Sequence, residues 1–234
     1  MTIFYDVVVK NRHVEGENIA VMEFESATST ALPKVEAGAH IDVHLPNGMV
    51  RQYSLCQDPN DEGMFRLGIL RDPDSRGGSV SAFDEIKNGM QIQVSEPKNL
   101  FPLLQAKHSV LIGGGIGITP LITMAYQLAH EGASFELHYC GASPEKCAFV
   151  GEIKNGELAK YTTFHFKSEG ASHREFFSRR FNILIKTVIF ILVVRMVSWT
   201  GSLTWRLANT FLNSKFIRNI FRLKLKRVAM PLKW

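Results

Sequence analysis

The first hundred residues alternate apolar and polar positions in short runs that turn residues separate. Between Ile3 and Pro97, six runs rich in β-branched and aromatic residues follow this pattern. The predicted strands are IFYDVVVKN, NIAVMEFES, HIDVHLPNG, MVRQYSLC, MFRLGILRD and QIQVSEP. Because successive side chains of a strand point to opposite faces, this alternation buries one face of each strand. Six such strands predict an antiparallel barrel or sandwich, with a short helix over Val80–Gly89.

After Asn99 the pattern changes to alternating strands and helices. The predicted strands are Ser109–Ile112, Phe135–Tyr139 and Thr162–Phe166. The predicted helices are Pro120–Glu131 and about Pro144–Lys160. Strands and helices that alternate at this spacing predict right-handed βαβ units on a parallel sheet. We therefore predict an α+β multidomain chain, with an antiparallel β-barrel over residues 1–102 and an incomplete α/β domain over residues 103–170.

Charge sets the remaining residues, 171–234, apart as a basic and apolar tail. All 22 Asp and Glu residues precede Phe176, whereas 12 of the 27 Lys and Arg residues follow it. Three alternatives remain open: a membrane-seeking tail, an interaction arm, or the product of a shifted reading frame. We favour the shifted frame, because the loss of acids coincides with the loss of expected motifs. The apolar run Val188–Val194 is too short to span a bilayer, so membrane contact is the weaker alternative.

Other features narrow the function class. The start of the chain lacks a signal-peptide pattern, and three cysteines without a C-x-x-C pair fit a reducing compartment, which predicts a cytoplasmic protein. No nucleic-acid-binding module is recognisable, so no nucleic-acid partner is predicted. His40 and His44 share a strand face without a third ligand nearby, so no metal site is predicted either.

The stretch VLIGGGIGITP, residues 110–120, resembles a nucleotide-binding turn but fits neither standard phosphate motif. A GxGxxG motif would need glycine at position 118, which is isoleucine, and a P-loop would need a Gly-Lys pair. The pattern instead predicts a strand and a glycine turn, with Thr119 capping the next helix and Pro120 in its first position. Such a turn allows a flat ligand to approach the backbone closely. A tight turn that binds nothing is the alternative.

Two earlier stretches have features suited to a ligand with a phosphate and a fused ring. In RQYSLC, Arg51 and Tyr53 share one strand face, about 6 to 7 Å apart along the strand. In RGGSVSAFD, residues 76–84, two glycines and two serines precede a predicted helix, where backbone N–H groups bind anions. A surface arginine beside a packed tyrosine, and a capped helix after a loop, are the simpler alternatives.

The order of the motifs makes the pattern specific. The chain presents RQYSL, GGSVS, NLFPL, GGGIGITP and HYCGAS in succession. This succession resembles the ferredoxin–NADP reductase superfamily, and within it the phthalate dioxygenase reductase and vanillate O-demethylase reductase group. The resemblance covers about residues 1–170.

The resemblance implies a flavin site on the first domain, with FMN preferred to FAD. Arg51 would pair with the flavin phosphate, Tyr53 would pack on the ring, and Ser54 would hydrogen-bond near the reactive N5. Gln52 would contribute its backbone. The residues that would hold the FMN phosphate are Gly77, Gly78, Ser79 and Val80. Weaker candidates for flavin contact are Ile69 and Arg71.

The resemblance also implies a pyridine-nucleotide site on the second domain and hydride transfer from NADH or NADPH to flavin N5, followed by one-electron release. Thr119 would face both cofactors, so Ser54 and Thr119 are the candidate catalytic residues. The other residues expected along the nucleotide path are Gly113, Gly114, Gly115, Gly117, Pro120 and Cys140. The implied partner is a terminal oxygenase or a ferredoxin-type electron acceptor.

The chain departs from this group in three places. Ala142-Ser143 replaces the usual Arg-Ser, and no Cys-Gly-Pro triplet exists. A [2Fe–2S] cluster is expected in the group, but the three cysteines cannot supply its four ligands. A flavin-binding chain without catalysis, and a basic membrane-associated protein, therefore remain as alternatives.

Overall fold

The six strands predicted from the alternating pattern form one antiparallel sheet. The computed structural model describes residues 2–170 and 190–195 of the chain. The strands are β1 (Phe4–Glu15), β2 (Ile19–Ser26), β3 (His40–His44), β4 (Val50–Ser54), β5 (Met64–Leu70) and β6 (Gln91–Ser95). Their order in the sheet is β4-β3-β6-β1-β2-β5. The prediction of an antiparallel first domain is confirmed.

This sheet curls around a core without closing into a continuous barrel. Its edge strands β4 and β5 meet just beyond β4, through an isolated bridge between Leu55 and Leu67. Next to it, the N–H of Cys56 donates a hydrogen bond of 2.9 Å to the carbonyl of Arg66. The alternating apolar side chains point into the enclosed space, where Phe24 and Phe65 are fully buried. One bridge is too few to make the ladder continuous, so the predicted barrel is an open, curled sheet.

The second sheet is parallel, as the alternation of strands and helices predicts. Its strands are β7 (Ser109–Gly114), β8 (Phe135–Gly141), β9 (Thr162–Phe166) and β10 (Phe190–Arg195), in the order β10-β7-β8-β9. Strand β10 falls inside the segment that the sequence sets apart as a tail, and it pairs in parallel with β7. The remaining tail residues, 171–189 and 196–234, lie outside the described residues.

Among the described residues, three α-helices accompany the sheets, namely α1 (Gly78–Glu85), α2 (Thr119–His130) and α3 (Val150–Asn155). The predicted single helix over Pro144–Lys160 is wrong. That segment consists of α3 between two 3₁₀ turns, Pro144–Lys146 and Glu157–Tyr161. Phe149 adopts φ +61° directly before α3, and its side chain is only 1 % exposed. The interruption of the helix thus coincides with the position where this ring enters the core.

Hydrogen bonds and ion pairs join the two sheets into one structure. The hydroxyl of Thr123, on α2, donates to the carbonyl of Leu55 at 3.0 Å. Arg66, on β5, forms an ion pair with Glu152, on α3, at 2.9 Å. These contacts fix the carboxyl ends of β7 and β8 relative to the first sheet. Among the described residues, no helix is long and apolar enough to cross a membrane.

Candidate functional site

Arg51 and the double-glycine loop, 26 positions apart in sequence, lie against each other. A β-carbon built on Gly78 would stand 2.6 Å from Nε and 2.8 Å from Cγ of Arg51. The guanidinium is anchored by a hydrogen bond of 2.8 Å from Nη1 to the carbonyl of Val50. Asn47 contributes a long hydrogen bond of 3.4 Å from Nδ2 to the carbonyl of Gly77. A cation therefore crosses the entrance to α1.

The first turn of α1 has the features of an anion site. Gly77 takes φ +91°, a left-handed conformation that favours glycine, and it directs the chain into the helix. The N–H groups of a first helical turn have no partners within the helix and carry partial positive charge. Within the described residues, Oγ of Ser81 is buried without a hydrogen-bond partner. Together with Arg51, the N–H groups of this turn fit a bound phosphate.

Ser79, which the resemblance places at the phosphate, is engaged within the loop. Its hydroxyl accepts a hydrogen bond from the N–H of Asp72 at 3.2 Å and lies 3.0 Å from Oγ of Ser75. The side chain thereby shapes the turn before α1. The neighbouring Val80 is half-buried in the first turn of the helix.

The other predicted flavin residues of β4 follow the strand alternation. Arg51 and Tyr53 are half-buried on one face, Gln52 is exposed, and Ser54 is 7 % exposed at the strand end. Tyr53 packs against the core of the first sheet. Burial raises the pKa of Tyr53 to about 12, against a smaller opposing effect of Arg51. The phenol is therefore protonated at neutral pH and presents a neutral ring next to a cation.

Two weaker candidates have other contacts. Ile69 is 1 % exposed in the core of the first sheet. Arg71 forms a bidentate ion pair with Asp84 of α1, at 3.0 Å from Nε to Oδ1 and 2.8 Å from Nη2 to Oδ2. Arg71 therefore fastens α1 to the end of β5.

Thr119 lies where the two sheets meet. A β-carbon on Gly68, in β5, would stand 3.0 Å from Cγ2 of Thr119 and 3.1 Å from Cζ of Phe149. The hydroxyl of Thr119 donates to the carbonyl of Ile116 at 3.0 Å, so it does not cap α2 as predicted. A 3₁₀ turn runs directly into α2 and leaves no separate capping position. Pro120 is the second residue of α2, one position after the predicted first position, and still lies in the first turn.

The glycines of the loop serve two different purposes. A β-carbon on Gly113 would approach Cδ1 of Ile118 to 3.1 Å, so this glycine allows close packing. Gly115 has φ +54° and faces open space, so it provides the turn and leaves room for a ligand. Gly117 is buried in the 3₁₀ turn that follows.

The carboxyl end of the parallel sheet brings further predicted residues together. Gly114, the last residue of β7, is paired with Cys140 of β8 on one side and with Arg195 of β10 on the other. Ligands of open parallel sheets bind beyond these strand ends. Burial, and then the nearby Cys147, raise the pKa of Cys140 to about 12. Cys140 is thus a neutral thiol in a half-buried position.

A cluster of side chains that no sequence motif predicts lies between the two sheets. Nη1 of Arg66 donates to Oε2 of Glu152 at 3.1 Å, and Nη2 donates to Oε1 at 2.9 Å. The hydroxyl of Tyr126 donates to the same carboxylate at 2.6 Å. The Arg66 guanidinium lies 5.1 Å from the ring centre of Phe149. These residues hold α2, α3 and β5 around Thr119.

The chain is similar in sequence to known oxidoreductases. Residues 6–102 match the family described as the oxidoreductase FAD-binding domain. The chain is 47 % identical over 165 residues to the vanillate O-demethylase oxidoreductase of Pseudomonas putida, a match that covers 70 % of this chain and 52 % of the relative. It is 38 % identical over 164 residues to the phthalate dioxygenase reductase of Burkholderia cepacia, which covers 69 % of this chain and 51 % of that protein.

A solved structure agrees with the sequence comparison. Phthalate dioxygenase reductase, whose structure is described as modular for electron transfer from pyridine nucleotides to [2Fe–2S], superposes with a TM-score of 0.67 and 38 % identity. The superposition covers 70 % of this chain and 51 % of that structure. The chain thus spans about half the length of these relatives. The antiparallel sheet and the parallel sheet are those of a reductase fold.

Proposed function

Residues 6–102 belong to the family of oxidoreductase FAD-binding domains, and from this premise we propose that the chain is the flavin and nucleotide part of an oxygenase reductase. The single observation that carries the proposal is the contact between Arg51 and the loop at Gly78. A guanidinium next to a helix N-terminus provides charge and directed N–H donors at one point. This arrangement fits the phosphate of a flavin.

We propose FMN as the flavin. FMN ends in a single phosphate, and the donors of Arg51 and the first turn of α1 converge at one place. The ring would lie along β4, where Tyr53 offers a flat, neutral face and Ser54 a hydroxyl at the strand end. A flavin bound there supplies the capacity to accept a hydride from NADH or NADPH and to release the electrons one at a time.

We propose that the nicotinamide nucleotide binds at the carboxyl end of β7 and β8. Gly115 leaves open space there, and Gly114 is paired with Cys140 at the sheet edge. Thr119 lies within contact distance of β5, so a nucleotide entering along the glycine loop would reach the flavin side of the molecule. The chain's own role is placement of two flat rings and exclusion of water between them.

The proposed partner is a terminal oxygenase or a ferredoxin-type protein that accepts the electrons. The similar reductases are components of such systems by name, for example the phthalate 4,5-dioxygenase reductase subunit of Pseudomonas putida, which is 37 % identical over 163 residues. Cys56, Cys140 and Cys147 are free thiols, and three cysteines cannot complete a four-cysteine cluster. The acceptor centre would therefore lie outside these 234 residues. Unpaired thiols also fit a reducing, cytoplasmic location.

Titration of the full chain with FMN and, separately, with FAD tests the proposal. We expect quenching of flavin fluorescence with at least about tenfold tighter binding of FMN, and bleaching of the bound flavin by NADH or NADPH without oxygen. Arg51→Gln should weaken FMN binding at least about tenfold, because a charge-assisted contact is lost. Lys10→Gln is the matched control, because it also removes one positive charge, but from an exposed ion pair with Glu25.

Three results would contradict parts of the proposal. Absence of quenching by either flavin would exclude the flavin site. Tighter binding of FAD would reverse the choice of cofactor. Binding without bleaching would leave a flavin-binding chain without reductase activity.

A further inference from the structure

Three potential metal ligands converge on the side of the molecule where the two sheets are joined. Asp58 lies in the loop between β4 and β5, His130 is the last residue of α2, and Glu157 begins the 3₁₀ turn after α3. One ligand atom from each side chain lies within 4.8 Å of the other two. We propose that these residues form a site for Zn²⁺ or a similar divalent transition-metal ion, separate from the flavin and nucleotide sites.

The two distances from His130 to the carboxylates match the ligand spacing around zinc. Nε2 of His130 lies 3.3 Å from Oδ2 of Asp58 and 3.2 Å from Oε1 of Glu157. Zinc bonds to nitrogen and oxygen are about 2.0–2.2 Å, so neighbouring ligand atoms of a tetrahedral ion lie roughly 3.3–3.6 Å apart. A single hydrogen on Nε2 could point to only one of the two oxygens. One ion could bind all three atoms.

The ligand atoms are held in place by contacts that leave them available. Oδ1 of Asp58 accepts a hydrogen bond from the N–H of Asn60 at 2.9 Å, which leaves Oδ2 facing the histidine. The ring of His130 stacks on Tyr126, with ring centres 6.4 Å apart. The side-chain amide of Asn60 contacts Nδ1 of His130 at 2.8 Å. With a metal on Nε2, Nδ1 would carry the proton and donate to the amide oxygen of Asn60 after the amide turns over.

The position suits a cation on electrostatic grounds as well. Two carboxylates within 4.8 Å of each other repel, and a divalent ion removes this repulsion. His130 ends a helix of 12 residues, where the partial charge of the backbone is negative. The side chains are 21 % to 48 % exposed, so an ion can enter from solvent and a water can complete the four-coordinate shell. The ion would join the loop of the first sheet to the helices of the second.

Equilibrium dialysis of the full chain against Zn²⁺, followed by elemental analysis, tests the site. We expect about one zinc ion per chain, and at least about tenfold weaker binding in both His130→Gln and Asp58→Asn. Asp58→Asn retains an oxygen for the contact with Asn60, so it serves as a second variant with minimal change to the loop. His44→Gln, whose ring contacts Phe4 on the first sheet, is the matched control.

Circular dichroism of each variant verifies that the fold is retained. Each variant keeps all three cysteines and every histidine that it does not itself replace. The difference in zinc binding between the cluster variants and the His44→Gln control therefore reports on this cluster alone. Zinc binding of wild-type strength in either His130→Gln or Asp58→Asn would overturn the proposal. Absence of zinc binding by the wild-type chain would overturn the proposal too. The three side chains would then contact only one another, with no metal ion between them.

Discussion

Gly78 lies so close to Arg51 that a β-carbon at position 78 would stand 2.6 Å from the Nε atom of the arginine. The backbone of Gly78 is helical, so the conflict is steric and not a matter of backbone strain. The absence of a side chain at this position allows the guanidinium to cross the entrance of α1. Arrangement of the proposed phosphate site therefore depends on both residues.

Gly78→Ala should weaken FMN binding about tenfold, or about 1.4 kcal/mol, because the added methyl group displaces the guanidinium. Fluorescence titration with FMN measures the change. Gly151→Ala is the matched control, since a β-carbon on Gly151 of α3 would meet nothing within 4 Å. Equal FMN affinity in Gly78→Ala and wild type would contradict the role of this contact.

Glu152→Gln should lower the free energy of unfolding by about 1–3 kcal/mol, because it leaves the Arg66 guanidinium without its ionic partner in a mostly buried place. The two side chains are only 14 % and 27 % exposed. Urea denaturation monitored by circular dichroism measures the change. Glu62→Gln breaks an exposed pair with Lys34, whose members are 73 % and 67 % exposed, and should change stability by less than about 0.5 kcal/mol. Equal effects of the two substitutions would contradict the structural role of Arg66 and Glu152.

Tyr53 should ionise near pH 12 in the folded chain, because burial raises its pKa from the ordinary value of 10.0. The unfolded chain releases this proton first, so the contribution of Tyr53 makes stability fall as the pH rises from about 10 towards about 12. Phenolate absorbance of the wild type minus that of Tyr53→Phe isolates the transition. A midpoint near 10 in the folded protein would show that the phenol is solvated.

Cys140 should react slowly with iodoacetamide at pH 8, because burial and the neighbouring Cys147 raise its pKa from 9.0 to about 12. Only the thiolate attacks the reagent, so alkylation should be at least about 100-fold slower than in the urea-unfolded chain. Mass spectrometry of peptides resolves this cysteine from the other two. Similar rates in the folded and unfolded chain would contradict a protected thiol at the sheet edge.

Some elements were predictable because they depend on neighbouring positions in the chain. Alternation along β4 placed Arg51 and Tyr53 on one face, and the glycine turn before α2 placed Pro120 in the first helical turn. The helix expected over Pro144–Lys160 was wrong, because burial of Phe149 is a tertiary event that a local pattern does not report. The predicted capping role of Thr119 failed for a local reason, because a 3₁₀ turn runs directly into α2 and the hydroxyl binds the carbonyl of Ile116 in that turn.

Local patterns of polarity and turn residues were enough to predict the six antiparallel strands and the three parallel strands β7, β8 and β9. Three relationships required the folded chain: Arg51 across Gly78, Arg66 with Glu152, and His130 between two carboxylates. The partners in each are between 27 and 86 positions apart in the sequence, so no local spacing motif could predict them. Backbone periodicity is a property of adjacent residues, whereas the meeting of distant side chains depends on how the first sheet curls and how α2 and α3 pack against it.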